Sequence, residues 1–384
     1  MRYKLGEIFE VGSGGTPSKN HPEYYGGSIP WIKTGDLKCE YLYGAEDYIT
    51  EEGVNNSSAK MYAPDTVLIA MYGATIGATS ILKIDACTNQ ACAAFKKSEK
   101  VIPEYLYYFF KSQKERFVKD GVGGAQPNIS AGYLKNVEME VPTLERQTEI
   151  VDILDKVNRI IEQRETELEE LDNLIKSRFV EMFGTLKDNN GRFDIVTIEE
   201  VCSLIKDGTH QTPEYTEDVV NGFKFLSSKD VMSQKIDWTD IRYIPVELHE
   251  KLYSTIQPKR NDILMSKNGV NYGVAAVNDT DEVFDIYVSL ALLRPMEVIN
   301  PVYFRCAINN PDTKRQFDSS IKGIGVPNLH LGEIKKTKII LPPLSMQNEF
   351  ENFVIQVDKL KFEVQKSLDE TQTLMDSLMQ QYFG

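Results

Sequence analysis

Pro142-Thr143-Leu144-Glu145-Arg146-Gln147-Thr148-Glu149 returns 200 residues later as Pro342-Pro343-Leu344-Ser345-Met346-Gln347-Asn348-Glu349. The likeness runs outward from there. Without a gap, Gly123–Gly184 lies over Gly323–Gly384 with 16 identities in 62 positions. Pro127-Asn128, Gly132, Lys135, Val157, Leu168, Glu170, Leu174, Ser177 and Phe183-Gly184 all recur. Self-similarity at one fixed offset marks an internal duplication.

Each copy is a short head followed by a long helical stretch. In the first, apolar residues fall at Ile150, Leu154, Val157, Ile161, Leu168, Leu171, Ile175 and Met182, alternating between four- and three-residue steps. That is the heptad pattern. In the second they fall at Phe350, Val354, Val357, Val364, Leu368, Met375, Leu378 and Tyr382. Arg164, Arg178, Lys361 and Thr371 interrupt the stripes. Thr143 and Ser345 are candidate N-caps, and Gly184 is a candidate C-cap before the turn-rich Asp188-Asn189-Asn190-Gly191. A helix of roughly 40 residues makes a rod about 60 Å long, and one amphipathic rod leaves its stripe in water. Two copies can bury theirs against each other as an antiparallel coiled coil.

The remaining sequence repeats more loosely. Gly15-Thr16-Pro17 is echoed by Gly208-Thr209-His210, and Trp31 to Leu37 by Phe225 to Val231. Val67 to Gly73 with Gly77 is echoed by Ile263 to Gly269 with Gly273. The stretch after Pro103 is echoed by Phe304 to Phe317. Short apolar runs such as Val67-Leu68-Ile69-Ala70 read as buried strands, and Pro103 to Lys119 reads as a helix. The fold class expected is therefore α+β. Two mixed α/β domains, 1–142 and 185–342, alternate with two spacer helices, 143–184 and 343–384.

Net charge is −14, which by itself argues against nucleic acid. Most of it, −9, falls on residues 143–184 and 343–384, so the globular parts are near neutral. The longest uncharged run, Thr66 to Leu82, is glycine-broken and short of a membrane span. Met1-Arg2-Tyr3-Lys4 does not open a secretory leader, and five cysteines without a Cys-x-x-Cys pair suit free thiols. A cytoplasmic protein is expected.

Catalytic signatures are sparse. The glycines at 12, 14 and 15 lack dinucleotide spacing, and His249-Glu250 is followed by Tyr253 where a zinc-protease motif needs histidine. Pro311-Asp312 with Glu333-Ile334-Lys335 fits the loose acidic pattern of metal-dependent nucleases. No catalytic, cofactor or metal site is otherwise indicated.

The ordered set of the glycine-Thr-Pro loop, Trp31-Ile32-Lys33-Thr34-Gly35-Asp36-Leu37, Asp262-Ile263-Leu264-Met265-Ser266, Pro127-Asn128-Ile129-Ser130 and the two Pro-Leu-x-x-Gln heads resembles the specificity subunits of Type I restriction–modification systems. The resemblance covers essentially the whole chain. It implies a non-catalytic subunit whose two target recognition domains each read one half of a split site in double-stranded DNA. It implies that the helices hold the half-sites apart and dock two modification (methyltransferase) subunits. Restriction (motor-nuclease) subunits would join that core. S-adenosylmethionine, ATP and Mg²⁺ would belong to the partners and none to this chain. The second head departs from the pattern, with Met346 where a charged residue is usual before the glutamine.

DNA contact is expected from loops after strands: Lys33, Thr34, Tyr72 and Thr75 in the first domain, and Ser228, Lys229, Lys267, Asn268 and Tyr272 in the second. Asn89, Gln90 and Gln126 join them because amide side chains suit adenine. Each also fits a turn residue capping a strand end. Partner contact is expected from Leu144, Gln147, Leu344 and Gln347 at the helix heads. Two other readings remain open: a coiled-coil scaffold carrying two protein-binding domains, and a nuclease using Asp312, Glu333 and Lys335. A related methyltransferase system without Type I restriction subunits is a third variant.

Overall fold

A computed structural model describes residues 1–121, 128–321 and 327–384. They form two compact units, Met1–Glu165 with Lys366–Gly384, and Thr166–Gln365. The units do not break at the helix ends: each long helix, Leu144–Phe183 and Leu344–Phe383, is shared between both.

The first unit is built on a five-stranded sheet in the order Val11–Ser13, Cys92–Phe95, Val67–Ala70, Thr79–Leu82, Tyr41–Leu42. A second sheet of four strands runs Asp47–Ile49, Tyr25–Ile32, Ala86–Thr88, Met61–Tyr62. The continuous apolar run Val67–Ala70 is buried on both faces, which is what an uninterrupted apolar strand needs. It turns back into Thr79–Leu82 through Gly77, at φ +80°, where a Cβ would also meet the Lys114 side chain at 3.0 Å. The expected single helix after Pro103 breaks at Gln113 into Pro103–Ser112 and Lys114–Asp120.

The second unit repeats this plan with fewer edge strands. Its four-stranded sheet runs Cys202–Asp207, Leu290–Pro295, Ile263–Ser266, Ala275–Val277. Its three-stranded sheet runs Arg242–Ile244, Phe223–Leu226, Phe284–Ile286, the last two parallel. Each unit also closes its chain ends with a strand pair, Arg2–Lys4 with Glu138–Glu140 and Asp194–Thr197 with Lys338–Leu341.

Within each unit the head of one long helix packs on the tail of the other, so the helices are antiparallel. In the first unit Ile150, Leu154, Val157 and Ile161 share a core with Met375, Leu378 and Phe383. In the second, Phe179, Met182 and Phe183 share one with Phe350 and Val354. Two of the polar interruptions of the stripe meet partners on the opposite helix. Arg178 lies 5.8 Å from the Phe353 ring and 3.6 Å from Glu349, and Lys361 pairs with Asp172. Thr143 Oγ1 accepts from the Arg146 amide at 3.4 Å, as an N-cap does. Ser345 is not the corresponding cap: it lies inside the first turn, which Pro343 precedes. Gly184 ends the first helix at φ +75°.

The five cysteines are all free. Burial pushes the Cys87 thiol up to about 11 and those of Cys92 and Cys202 up to about 12, while Cys39 is exposed. Because the thiolate is the nucleophile, native chain treated with iodoacetamide at pH 8 is expected to label at Cys39 long before Cys87, Cys92 or Cys202, as peptide mass spectrometry would read.

Candidate nucleic-acid interface

In each unit, loops from separate strands meet at the end shared by the two sheets. Gly14 is there because its backbone touches the Thr88 carbonyl; a Cβ would sit 1.8 Å from that oxygen. Gly15 N–H then donates to Thr88 O at 2.9 Å, and the Trp31 indole donates to Gly15 O at 3.0 Å. Asn89 N–H donates to Ile32 O at 2.9 Å, and Thr16 Oγ1 donates to Gln90 Oε1. So the glycine-threonine loop, Lys33-Thr34 and Asn89-Gln90 form one cluster. Beside it, Tyr72 pairs with Asn128, and Thr75 Oγ1 donates to the Tyr72 carbonyl at 3.2 Å.

The second unit builds the same cluster. A Cβ on Gly208 would sit 2.3 Å from the Ile286 carbonyl, and Thr209 pairs with Tyr287. Ser228 N–H donates to Ser289 Oγ at 2.9 Å, and Lys267 N–H to Ser289 O at 2.9 Å. Asn268 pairs with Asn328 as Tyr72 does with Asn128. The duplicated asparagines thus tie the strand-end turn to the helix that leads into each long rod, which accounts for their recurrence.

The expected contact residues divide by geometry. Tyr72 is 44% exposed, Gln90 is exposed, and Thr34, Thr75, Asn89, Ser228 and Asn268 are half-buried on the clusters. Asn89 Oδ1 is engaged with the Ala91 amide at 3.1 Å, while Asn268 Oδ1 has no hydrogen-bond partner among the described residues. Lys33 and Lys229 are exposed in part but held: the Asp47 and Asp240 carboxylates hydrogen-bond them and keep their ammoniums above the usual lysine range. Gln126 lies outside the described residues.

Two expected contacts are corrected. Lys267 turns inward, its side chain 5% exposed, and spends its charge on Asp207. Tyr272 also turns inward: its hydroxyl donates to Asp318 at 2.6 Å, and the Lys314 ammonium lies 3.5 Å from its ring centroid. In both cases an acidic neighbour from another element satisfies a group that the chain alone leaves open. Asn271, the counterpart of Thr75, is exposed in that turn beside Val270. Tyr287, the counterpart of Asn89, was also missed. Its signal was the 198-residue offset of the helices beginning at Pro103 and Pro301, which the parallel registers Trp31–Cys87 and Phe225–Asp285 share.

The helix heads need a further correction. Gln147 and Gln347 are fully buried and cannot dock a partner. Gln147 Oε1 accepts from the Ile102 amide at 3.0 Å while its Nε2 donates to Lys100 O at 2.8 Å and Pro142 O at 3.0 Å. Gln347 accepts from Asn300 N–H at 2.8 Å and donates to Pro342 O at 2.8 Å and Val298 O at 3.3 Å. Ile102 and Asn300 are the N-caps of the helices Pro103–Ser112 and Pro301–Ile308. Each glutamine therefore fastens a long helix to its domain. Leu144 and Leu344 remain exposed.

The nuclease trio does not converge. Asp312 accepts from the Leu186 amide at 2.8 Å and pairs with Arg315, while Lys335 pairs with Glu199 at 2.9 Å. Among the described residues no three His, Cys, Asp or Glu side chains are grouped to hold a metal ion, and no helix is long and apolar enough to cross a membrane.

A family model of the Type I restriction modification DNA specificity domain matches residues 1–173 and 190–371. The MjaIX specificity subunit of Methanocaldococcus jannaschii is 27% identical over 401 residues, covering 98% of this chain and 90% of that protein. The EcoR124I/EcoR124II specificity subunit of Escherichia coli is 33% identical over 162 residues, covering 41% of this chain and 40% of its own length. The crystal structure of the S subunit of a Type I system from M. genitalium superposes with a TM-score of 0.54 at 16% identity, covering 100% of this chain and 96% of that one. A chain from a study of type I assembly and conformational transition gives 0.61 at 16%, covering 100% and 97%.

Proposed function

The chain belongs to the Type I restriction–modification DNA specificity family, and from that premise we propose that it is the DNA-reading subunit of such a complex, each recognition domain reading one half of a split site. One observation carries the reading. Two loop clusters share a backbone frame but present different side chains: Tyr72 against Asn268, Thr75 against Asn271, Asn89 against Tyr287. A constant frame with variable polar tips is what two readers of different base sequences need. The lysines at these loops are held by carboxylates, so the tips offer mainly neutral hydrogen-bonding groups to base edges. The subunit itself does no chemistry. Two methyltransferase subunits dock on it, and motor-nuclease subunits join them; S-adenosylmethionine, ATP and Mg²⁺ act in those partners. The exposed Leu144 and Leu344 are proposed docking residues, and the assembly works in the cytoplasm.

The test is to sequence methylated positions in host DNA with and without this gene. Loss of adenine methylation at one split motif supports the reading; unchanged methylation at every motif, with the partner genes expressed, favours the scaffold instead. Residue roles follow from the same assay. Tyr72→Ala is expected to weaken discrimination at one half-site by about 1–3 kcal/mol, roughly 5- to 150-fold, and Asn271→Ala to do so only at the other. Binding to targets altered in one half at a time would measure both.

A further inference from the structure

The second unit contains a cavity of about 270 Å³ that the reading loops do not use. Its wall is formed by the first long helix from Asp172 to Val180, the loop Met232–Lys235, the helix end from Arg305, and Asp358 and Lys361 of the second long helix. Arg305 lies in that wall and is 8% exposed. Among the described residues its guanidinium meets only the Gln234 carbonyl and the Cys306 sulfur, each at 3.5 Å, and its Nε has no partner. Five N–H donors in a fixed fork are thus almost unmet, inside a protein where an uncompensated charge is costly.

Asp358 and Asp172 attract the guanidinium from a distance, but each already binds a lysine. Lys235 takes Asp358 at 3.3 Å and Lys361 takes Asp172, so both carboxylates in the wall are already paired. Lys176, also in the wall and exposed, has among the described residues only the Asn173 amide oxygen at 3.4 Å. Arg305 and Lys176 are therefore two positive charges in excess, in a chain of net charge −14. The duplication adds an independent observation. Arg305 is the fifth residue of its helix, and the fifth residue of the matching helix in the first unit is Tyr107, an uncharged ring buried in the core. The fold at this place does not require an arginine.

We propose that this cavity is a binding site for a small oxyanion group, phosphate or carboxylate, held by the Arg305 fork and attracted by Lys176. Such a group supplies the acceptor oxygens that the fork lacks, two at a time. The space admits such a group together with ordered water. The oxyanion comes either from a free small acid or from an acidic side chain of a docked subunit, and only the second source rests on the function proposed above.

The experiment is calorimetric titration of the full-length chain with inorganic phosphate at constant ionic strength. One saturable site is expected. Arg305→Met should weaken it about tenfold or more while leaving the fold intact, because exchanging a buried unpaired charge for an apolar side chain of similar size is often neutral. Arg305→Lys, which keeps the charge but loses the fork, should fall between, and Lys176→Glu at the exposed rim should weaken binding without touching the core. Circular dichroism checks the fold, and the Lys176 variant keeps the test valid should the Arg305 variants misfold. Phosphate binding unchanged in Arg305→Met and Lys176→Glu, or absent from the wild type, overturns the site: water then fills the cavity. A second arm assembles Arg305→Met with the methyltransferase subunits. Weaker assembly, with phosphate competing in the wild type, identifies a partner's acidic side chain as the source. Unchanged assembly with phosphate binding lost identifies a free acid.

Discussion

Phe350→Ala is expected to destabilise the second unit by about 3–5 kcal/mol, a large share of the roughly 5–15 kcal/mol by which a domain is folded. Phe350 is fully buried near the head of the second long helix. Its ring stands edge-on to Phe179 and Phe183 on the first helix, each at 5.5 Å, and lies 6.5 Å from Tyr303 of the domain. One side chain therefore joins both helices and the domain, and the cavity left by alanine cannot collapse on three sides at once. Phe350→Leu, which fills most of the space, should cost about half as much or less. Urea unfolding followed in a Trp31→Phe background, where Trp238 is the remaining indole, reads this unit directly. A midpoint within error of the parent would refute the role.

Gln347→Leu is expected to cost about 3 kcal/mol, although it replaces a polar residue by an apolar one of similar size in a buried place. The amide is the partner of the Asn300 N–H and of two carbonyls, those of Pro342 and Val298. Removing it strands the buried Asn300 N–H and Pro342 carbonyl, at about 1–3 kcal/mol for each group fully stranded, while the Val298 carbonyl sits at an exposed residue. Gln147→Leu should behave alike in the first unit, where the Ile102 N–H and the carbonyls of Lys100 and Pro142 lose their partner. Glu substitutions discriminate further: a carboxylate can still accept from the N–H but cannot donate, so Gln347→Glu should not rescue. Thermal melts of the single and double variants would measure this. Additive losses are expected, because the two glutamines lie in different compact units.

These two residues illustrate which parts of the molecule could be read without coordinates. The period of the apolar stripe, the fixed 200-residue offset and the proline and glycine punctuation are local properties of the chain. They determined the two long helices, their antiparallel pairing and the repeated strand-rich domains. The heptad pattern has a single physical outlet, burial against a second stripe, and the chain supplies that stripe itself. Strand-end turns were legible for the same reason, because a glycine at positive φ or against a neighbouring carbonyl leaves its mark on the sequence.

What the side chains at those turns and heads do was decided by tertiary neighbours. Gln147 and Gln347 were expected to dock a partner because the Pro-Leu-x-x-Gln heads resemble those of Type I specificity subunits. Besides one carbonyl five residues back, their partners are backbone groups 45 to 49 residues away that no local pattern announces. Lys267 and Tyr272 turned inward because Asp207 and Asp318, from other elements, meet them there. Arg305 and Tyr107 hold one position in two copies of one helix, yet only the loop and helices packed around Arg305 leave its guanidinium short of acceptors. Periodicity encodes which face of an element is buried, since burial acts on every turn of it. Hydrogen bonds and ion pairs depend on single atoms brought together from distant parts of the chain, and only the folded structure decides them.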